Sequence, residues 1–422
     1  MTANSFIVRV TAMTLSNKHI LVGISGGIAA YKIPELIRSL VKEGADVRVA
    51  TTRHALEFVT ELTLQTVSGH AVYSDVFAAI NAHATEHISL PEWCDMMVVA
   101  PATANVLGKM ASGIADDALT TTLCSCAARK PIVLVPAMND KMWECPATQQ
   151  AIATLRSWDN VRVLEPAEGP LACGTCGKGR MPEIAIIQEA IEHALTPKTM
   201  AGQKVLITAG GTQEKIDPVR FISNYSTGKM GVALAHACAR RGAEVTIVCG
   251  AVSAPLLDPY GTIRRIDALS AQAMYEACLD VWPNMDKAIL CAAVADFTPA
   301  EVAEEKVKKE ELRDVRRDLR TEGLILSLKE TQDIARALGE RKGKHQQLIG
   351  FALETEHEKE NALRKMARKQ LDAIVLNSLR NAGAGFGTDT NCVTIFCSDG
   401  RSFELPLQSK TTIADGIIEA LI

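Results

Sequence analysis

Short apolar runs rich in Val, Ile and Leu recur along the chain and alternate with stretches whose apolar positions follow a helical period. In the first half the runs predict strands at 20–25, 45–51, 96–100, 131–136 and 160–164, because a continuous apolar run marks a strand buried on both faces. Between them Ile33 to Glu43 and Ala147 to Ser157 carry the spacing of amphipathic helices. The pattern pauses at 195–203, where Pro197 and Gly202 interrupt it, and then resumes. Strands are expected at 204–209, 244–249, 287–292, 346–351 and 372–376, with a helix from Lys229 to Arg241. Period-two alternation over 391–407, turning at Asp399-Gly400, predicts an antiparallel edge pair.

Such alternation implies α/β architecture with mostly parallel sheets covered on both faces. We expect two domains, 18–196 and 204–422, joined by a linker at 197–203. Residues 1–17 precede the first strand and are expected to be a disordered extension, Met13 being the more natural beginning.

Each half opens on a strand followed by a glycine turn, Ser25-Gly26-Gly27 in the first and Ala209-Gly210-Gly211 in the second. A strand, glycine turn and helix N-terminus aim backbone N–H groups at a phosphate, so two cradles and two active sites are expected. Gly23, Gly26 and Gly27 miss the dinucleotide spacing, which favours a mononucleotide such as a flavin phosphate. Gly228-Lys229 is followed by Met230, where a P-loop needs Ser or Thr on magnesium; an ATPase of that type is excluded.

Composition narrows the partners. A chain of 422 residues with 47% hydrophobic residues supplies two cores, and its net charge of −4 argues against nucleic acid or an anionic membrane. No stretch reaches bilayer-spanning length and the start lacks a signal-peptide core, so the cytoplasm is the expected location. The twelve cysteines do not make a disulfide framework. Cys173 and Cys176 form C-G-T-C, half a zinc site or a redox pair, but Cys124-Ser125-Cys126 is a poor second half. The charged stretch 301–323 reads as a solvated flap able to close a lysine over a triphosphate.

Several runs then combine. S-G-G-I-A-A-Y-K, H-I-S-L at 87–90, A-P-A-T-A-N at 100–105, P-A-M-N-x-x-M-W at 136–143 and A-C-G-x-x-G-x-G-R-M at 172–181 resemble the flavin-dependent cysteine decarboxylases, phosphopantothenoylcysteine decarboxylase above all. The resemblance implies a flavodoxin-like domain with FMN near Gly26, Gly27, Ile28, Thr52, His54, Thr103, Ala104, Asn105, Val106 and Ala137. It makes His87 the base that assists thiol oxidation to a thioaldehyde, which loses carbon dioxide readily. Asn139, with Met142 beside it, would grip the substrate carboxylate, and Cys173 would protonate the enethiol.

In the second half A-G-G-T-x-E-x-x-D-P-V-R-x-I-S-N-x-S-x-G-K-M-G, C-A-A-V-A-D-F at 291–297, K-V-K-K at 306–309 and G-F-A-L-E-T at 350–355 resemble phosphopantothenate–cysteine ligase. The implied chemistry joins 4'-phosphopantothenate to cysteine through an acyl-cytidylate made from CTP, with Mg2+ held mainly by the nucleotide phosphates. Asn224 is expected on the activated carboxyl and Arg220 on the substrate side, with Lys306 on the reacting nucleotide, Ala292 and Ala293 on the neighbouring loop and Asp296 contacting cytidine or its sugar. Thr331, Gln332, Asp333 and Ile334, with Gln332 replacing the family's proline, join Phe351, Lys365 and Lys369 in holding the nucleotide. The fold implied for this half is Rossmann-like with a flap. Lys365 and Lys369 are one helical turn apart and suit a polyphosphate. G-F-G-T-D-T-N at 385–391 resembles a late nucleotide or dimer loop.

Together the two resemblances imply a bifunctional enzyme whose ligase product is the decarboxylase substrate. They also imply trimeric decarboxylase contacts and dimeric ligase contacts, hence a dodecamer. A flavin-binding regulatory protein is the first alternative, opposed by His87, Cys173 and the ligase half. An NAD-linked oxidoreductase is the second, opposed by the missing glycine fingerprint and the missing acid after the second strand.

Overall fold

The computed structural model describes residues 5–7, 15–77, 85–170, 176–308, 326–354, 356–378, 383, 385 and 387–421. The chain resolves into two compact units: Met13–Pro197 with Leu257–Tyr260, and Met1–Ala12 with Lys198–Leu256 and Gly261–Ile422.

The first unit is built on a six-stranded parallel sheet. Its order is Val72–Tyr73, Asp46–Thr51, His19–Ile24, Met96–Ala102, Ile132–Pro136 and Val161–Val163. Successive side chains of a strand face opposite ways, and the core shows it. Ile20, Val22 and Ile24 pack with Ile33, Leu36, Ile37 and Leu40 of the helix Ile33–Lys42, whereas Leu21 packs with Leu119 and Leu123 of Ala118–Ala127. Each such side chain contributes about 1.5–3 kcal/mol by its burial. Asp117 starts Ala118–Ala127 with a capping box, accepting from Thr120 N at 2.8 Å while Thr120 Oγ1 accepts from Asp117 N at 3.1 Å.

The second unit is a nine-stranded mixed sheet. Its order is Ser5–Ile7, Ser402–Ser409, Thr390–Cys397, Ala373–Ser378, Gln347–Glu354, Lys287–Leu290, Lys204–Ala209, Glu244–Cys249 and Ile263–Asp267. Val205, Ile207 and Ala209 enter one face with the helix Lys229–Arg240, and Leu206 enters the other. Ala373–Ser378 and Ser402–Ser409 both run antiparallel to Thr390–Cys397, while the six strands from Ala373–Ser378 to Ile263–Asp267 run parallel.

Three expectations need correction. Residues 1–17 are not simply an extension: Ser5–Ile7 pairs in parallel with Ser402–Glu404, and Leu15, 1% exposed, belongs to the first core. The pair at 391–407 is consequently not the edge, because Ser5–Ile7 lies outside it. The second glycine turn does not lead into a helix either. After Gly211 the chain makes an antiparallel hairpin, Gln213–Lys215 with Phe221–Ser223, before Lys229–Arg240 begins. The short strand Val72–Tyr73, the half-exposed Ile263–Asp267 and the hairpin Ala167–Pro170 with Cys176–Arg180 also lacked an apolar run that would have announced them.

Candidate active sites at two topological switch points

In each sheet the strand order reverses beside the unit's first long strand, and the loops leaving the two diverging strands open a cleft there. In the first unit these are the loops after His19–Ile24 and Met96–Ala102. Ser25 ties them: its hydroxyl lies 2.7 Å from Pro101 O, accepts from Thr103 N at 3.0 Å and sits 3.1 Å from Thr103 Oγ1. Gly26 passes so close to the next loop that a Cβ there would fall 2.5 Å from His54 Cβ, so only glycine permits the approach.

The resulting cleft measures about 540 Å3 and brings together Gly26, Gly27, Ile28, Thr103, Ala137, Asn139 and Met142 of the expected set. Asn139 caps the short helix Asp140–Glu144, its Oδ1 accepting from Lys141 N at 3.0 Å. Met138 N donates to Gly179 O at 2.9 Å, which fixes the strand Cys176–Arg180 against the P-A-M-N turn and adds Arg180 to the lining. Arg180 was not expected; the G-R-M run contained it, but an arginine does not signal a site by itself.

The other expected residues are placed differently. Thr52 is buried and His54 exposed beside Gly26, and neither lines the cleft. Ala104, Asn105 and Val106 begin the helix Ala104–Ser112, with Asn105 exposed and Val106 in the core. His87 lies in the first turn of Glu86–Trp93, outside the cleft lining, and its buried Nδ1 makes no hydrogen bond among the described residues. Thr51 Oγ1, Thr52 Oγ1 and Tyr73 Oη are buried and unpartnered there in the same sense. Burial, then the nearby Glu86 and Asp75, push the Tyr73 hydroxyl above its ordinary pKa. Cys173 lies outside the described residues; Cys176, described, is exposed.

In the second unit the loops after Lys204–Ala209 and Lys287–Leu290 diverge. Gly210, at φ +87°, lets them interlock: Ala293 N donates to Gly210 O at 2.8 Å and Ala251 N to Gly211 O at 2.8 Å. These glycines are therefore structural, and the cleft forms one layer further on. A hollow of about 380 Å3 gathers Ala292, Asp296, Thr331, Gln332, Asp333, Ile334, Phe351, Lys365 and Lys369. A second, of about 410 Å3, holds Asn224, Ala293 and the start of Lys229–Arg240, and shares Ala292, Asp296, Phe351 and Lys365 with the first. The two make one trough.

Asn224 crosses it to donate from Nδ2 to Ala293 O at 2.9 Å. Lys369 Nζ is 2.8 Å from Asp333 Oδ2. Burial alone would raise the Asp333 carboxyl, but hydrogen bonds from Lys369 and Arg336 N bring it below its usual value. Lys365 donates to Phe351 O at 3.3 Å, and burial, followed by the charge on Lys369, pushes its amine down. Lys229 and Lys410, which sequence reasoning missed, join these cations in the trough. Lys410 is only 8% exposed and donates to Thr388 O at 2.6 Å and Gly385 O at 3.1 Å. Burial, then the Lys229 charge, lower its pKa. Lys229 pairs with Asp389 at 2.6 Å on the same loop.

Arg220 and Lys306 are not in the trough lining. Arg220 instead clamps the base of the charged stretch: its Nη2 donates to Val307 O at 2.5 Å and lies 2.6 Å from Asp217 Oδ2, which accepts from Val307 N at 3.2 Å. Burial would raise Asp217, yet these donors and the N–H groups of Val219 and Arg220 hold its carboxyl down to about 2. Lys306 is exposed just before that anchor. Residues 309–325, most of the expected flap, lie outside the described residues, as does Phe386 of the late loop.

Residues 9–196 match the Flavoprotein family, and residues 200–422 match the C-terminal domain of the DNA/pantothenate metabolism flavoproteins. The chain is 46% identical to the coenzyme A biosynthesis bifunctional protein CoaBC of Bacillus subtilis (strain 168), covering 96% of this chain and 97% of that one. The chain belongs to the family of coenzyme A biosynthesis bifunctional proteins. The CoaBC of Escherichia coli (strain K12) is 39% identical over 97% of this chain and 98% of its own. A cysteine/cysteine sulfinic acid decarboxylase from an unknown prokaryotic organism is 44% identical over 86% of this chain and 99% of its own. A crystal structure of the C-terminal domain of a CoaBC aligns with 53% of this chain and 95% of its own at 38% identity, with a TM-score of 0.42. Family membership covers both units and therefore both clefts.

The first cleft fits the flavin such a family carries. Its lining is mostly apolar, and the buried Thr51 and Thr52 hydroxyls have hydrogen-bonding capacity to spare at the end of the neighbouring strand. Among the described residues no helix is long and apolar enough to cross a membrane.

Proposed function

We propose that this chain performs two consecutive steps of coenzyme A synthesis. The second unit couples 4'-phosphopantothenate to cysteine using CTP, and the first decarboxylates the 4'-phosphopantothenoylcysteine so formed to 4'-phosphopantetheine. The observation that carries the reading is the relationship to bifunctional proteins, which is continuous over 97% of a relative 46% identical to this chain.

In the ligase, a carboxylate oxygen of phosphopantothenate attacks the α-phosphorus of CTP and pyrophosphate leaves. The amine of cysteine then attacks the acyl carbon and CMP leaves. Lys365 and Lys369 supply charge to the phosphates, and Lys306 closes from the anchored flap base. Asn224 and the Ala292–Ala293 backbone orient the carboxyl and Asp296 meets the cytidine or its sugar; Thr331 to Ile334 and Phe351 enclose the nucleotide, while Arg220, outside the trough lining, anchors the chain at Val307. Mg2+ is assigned to the nucleotide phosphates.

In the decarboxylase FMN would be held by Gly26, Gly27, Ile28, Thr103 and Ala137 of the cleft lining, with Thr52, His54 and Ala104 to Val106, which do not line it, backing that set. When bound, it supplies a two-electron oxidation of the cysteinyl thiol and later the return of the electron pair. His87, although outside the lining of the cleft, is assigned the thiol proton, its Nδ1 having no partner among the described residues. Asn139, with Met142, orients the carboxylate through a neutral amide, which does not stabilise the charge that must leave as carbon dioxide. Cys173 returns the last proton. We place this chemistry in the cytoplasm, in a dodecamer with trimeric contacts in the first unit and dimeric contacts in the second.

Incubation with phosphopantothenate, cysteine, Mg2+ and each nucleoside triphosphate, followed by product mass, tests the reading. The expected product is 4'-phosphopantetheine with one pyrophosphate per turnover and CTP preferred. Free cysteine alone belongs in the comparison, because one relative carries a free-cysteine name. Decarboxylation of cysteine without any ligation would overturn the assignment.

A further inference from the structure

Among the described residues two cations line the first cleft, Lys32 and Arg180, and none of those lining it is acidic. They belong to different parts of the fold. Lys32 ends the short helix Ile28–Lys32 that continues the glycine turn. Arg180 ends the strand Cys176–Arg180, whose Gly179 carbonyl is bonded to Met138 N, so its backbone is fixed beside Asn139.

We propose that Arg180 binds the phosphate monoester of the acyl-cysteine substrate, while Lys32 and the glycine turn serve the flavin's own phosphate. The inference rests on the decarboxylase reading above. That substrate carries two anions, and they make opposite demands. Its carboxylate must lose charge as carbon dioxide departs, so a guanidinium on it would stabilise the ground state against the reaction. Its phosphate keeps its charge throughout, and a guanidinium there contributes equally to ground and transition states. Arg180 offers a planar fork suited to bidentate phosphate binding. Its present partner is Glu183 at 2.5 Å, in a pair whose side chains are 39% and 63% exposed. An ion pair so exposed contributes little, so a phosphate dianion displaces it easily.

The experiment uses the full-length, FMN-loaded protein with 4'-phosphopantothenoylcysteine and its dephosphorylated analogue as separate substrates. Arg180→Gln should reduce the preference for the phosphorylated substrate, as a ratio of kcat/KM, by about 10- to 100-fold through KM. Arg180→Lys should recover part of that preference. Flavin content and ligase rate report that both units remain folded. Equal loss on both substrates would place Arg180 on the carboxylate or the scaffold, and loss of flavin would place it on the cofactor; either overturns the proposal. A wild-type protein that decarboxylates neither substrate overturns the decarboxylase reading itself.

Discussion

The two units solve one topological problem with opposite linings. Both place their cleft where strand order reverses beside the unit's first long strand, His19–Ile24 in one and Lys204–Ala209 in the other. The first cleft is walled by glycine, alanine and methionine, with cations at Lys32 and Arg180. The second gathers Lys229, Lys365, Lys369 and Lys410 around Asp296 and Asp333. An apolar wall suits a ring system and electron transfer, where water must be kept out. A lysine-lined trough suits a polyphosphate whose charge changes as bonds break. Strand order fixes where a ligand sits, and the loop residues decide which ligand.

The base of one site and the carboxyl grip of the other separate the two units most cleanly. His87→Asn should lower decarboxylation by about 10²- to 10⁴-fold, the usual contribution of a general base, with ligation and bound flavin retained. Product masses from separate assays of the two half-reactions check this; simultaneous loss of ligation would mean that the two sites are not independent. Asn224→Asp is the mirror experiment. Placing a carboxylate where the amide meets Ala293 O and a reacting carboxyl should reduce pyrophosphate release by about 10²- to 10³-fold, and decarboxylation of supplied phosphopantothenoylcysteine should persist. A variant that keeps full ligase rate would remove Asn224 from the mechanism.

Lys410→Met sharpens the comparison at a residue that no motif flagged. Its ammonium reaches the carbonyls of Gly385 and Thr388 rather than a carboxylate, and so fixes the loop that also carries Asp389, the partner of Lys229. Loss of this anchor should raise the KM for CTP by about 10-fold, roughly the value of one hydrogen bond to a charged group, more than it lowers kcat. A flat KM in steady-state ligase assays would make Lys410 a core residue and nothing more.

What the sequence disclosed, and what it withheld, follows the same physics. Central strands such as His19–Ile24 and Glu244–Cys249 were legible because burial on both faces demands continuous apolar runs. Val72–Tyr73 and Ile263–Asp267 were not, being respectively two residues long and half-exposed. Among site residues, the motif-borne Gly26, Asn139, Asp296 and Lys365 do line the clefts. Gly210 shows the limit: a glycine turn signals backbone proximity, and here the close neighbour is Ala251. Arg220 shows another, because a lone arginine in D-P-V-R gives no hint that its guanidinium will be occupied by Asp217 and Val307. Lys410 is the converse, a lysine at a helix start whose burial emerges only when Gly385 and Thr388 bring their carbonyls to it.

The smallest effect lies in pH. Lys365 and Lys410 both have pKa values lowered chiefly by burial, so as pH rises they lose charge before an ordinary lysine, near about 10.4, would. Phosphate binding favours the charged forms, so the loss appears in the free enzyme. The kcat/KM for CTP should therefore fall along an alkaline limb beginning below the ordinary lysine range, whereas kcat, which reports the loaded enzyme, holds to higher pH. CTP itself has finished ionising by then and contributes no limb of its own. Lys365→Arg supplies the control, because a guanidinium stays charged throughout and should move the limb upward by a few-fold in rate at the alkaline end. Among the described residues the decarboxylase cleft is lined by no such lysine pair, so its kcat/KM should lack this limb. A limb shared by both reactions would trace it to the scaffold or the substrates and remove the buried lysines as its cause.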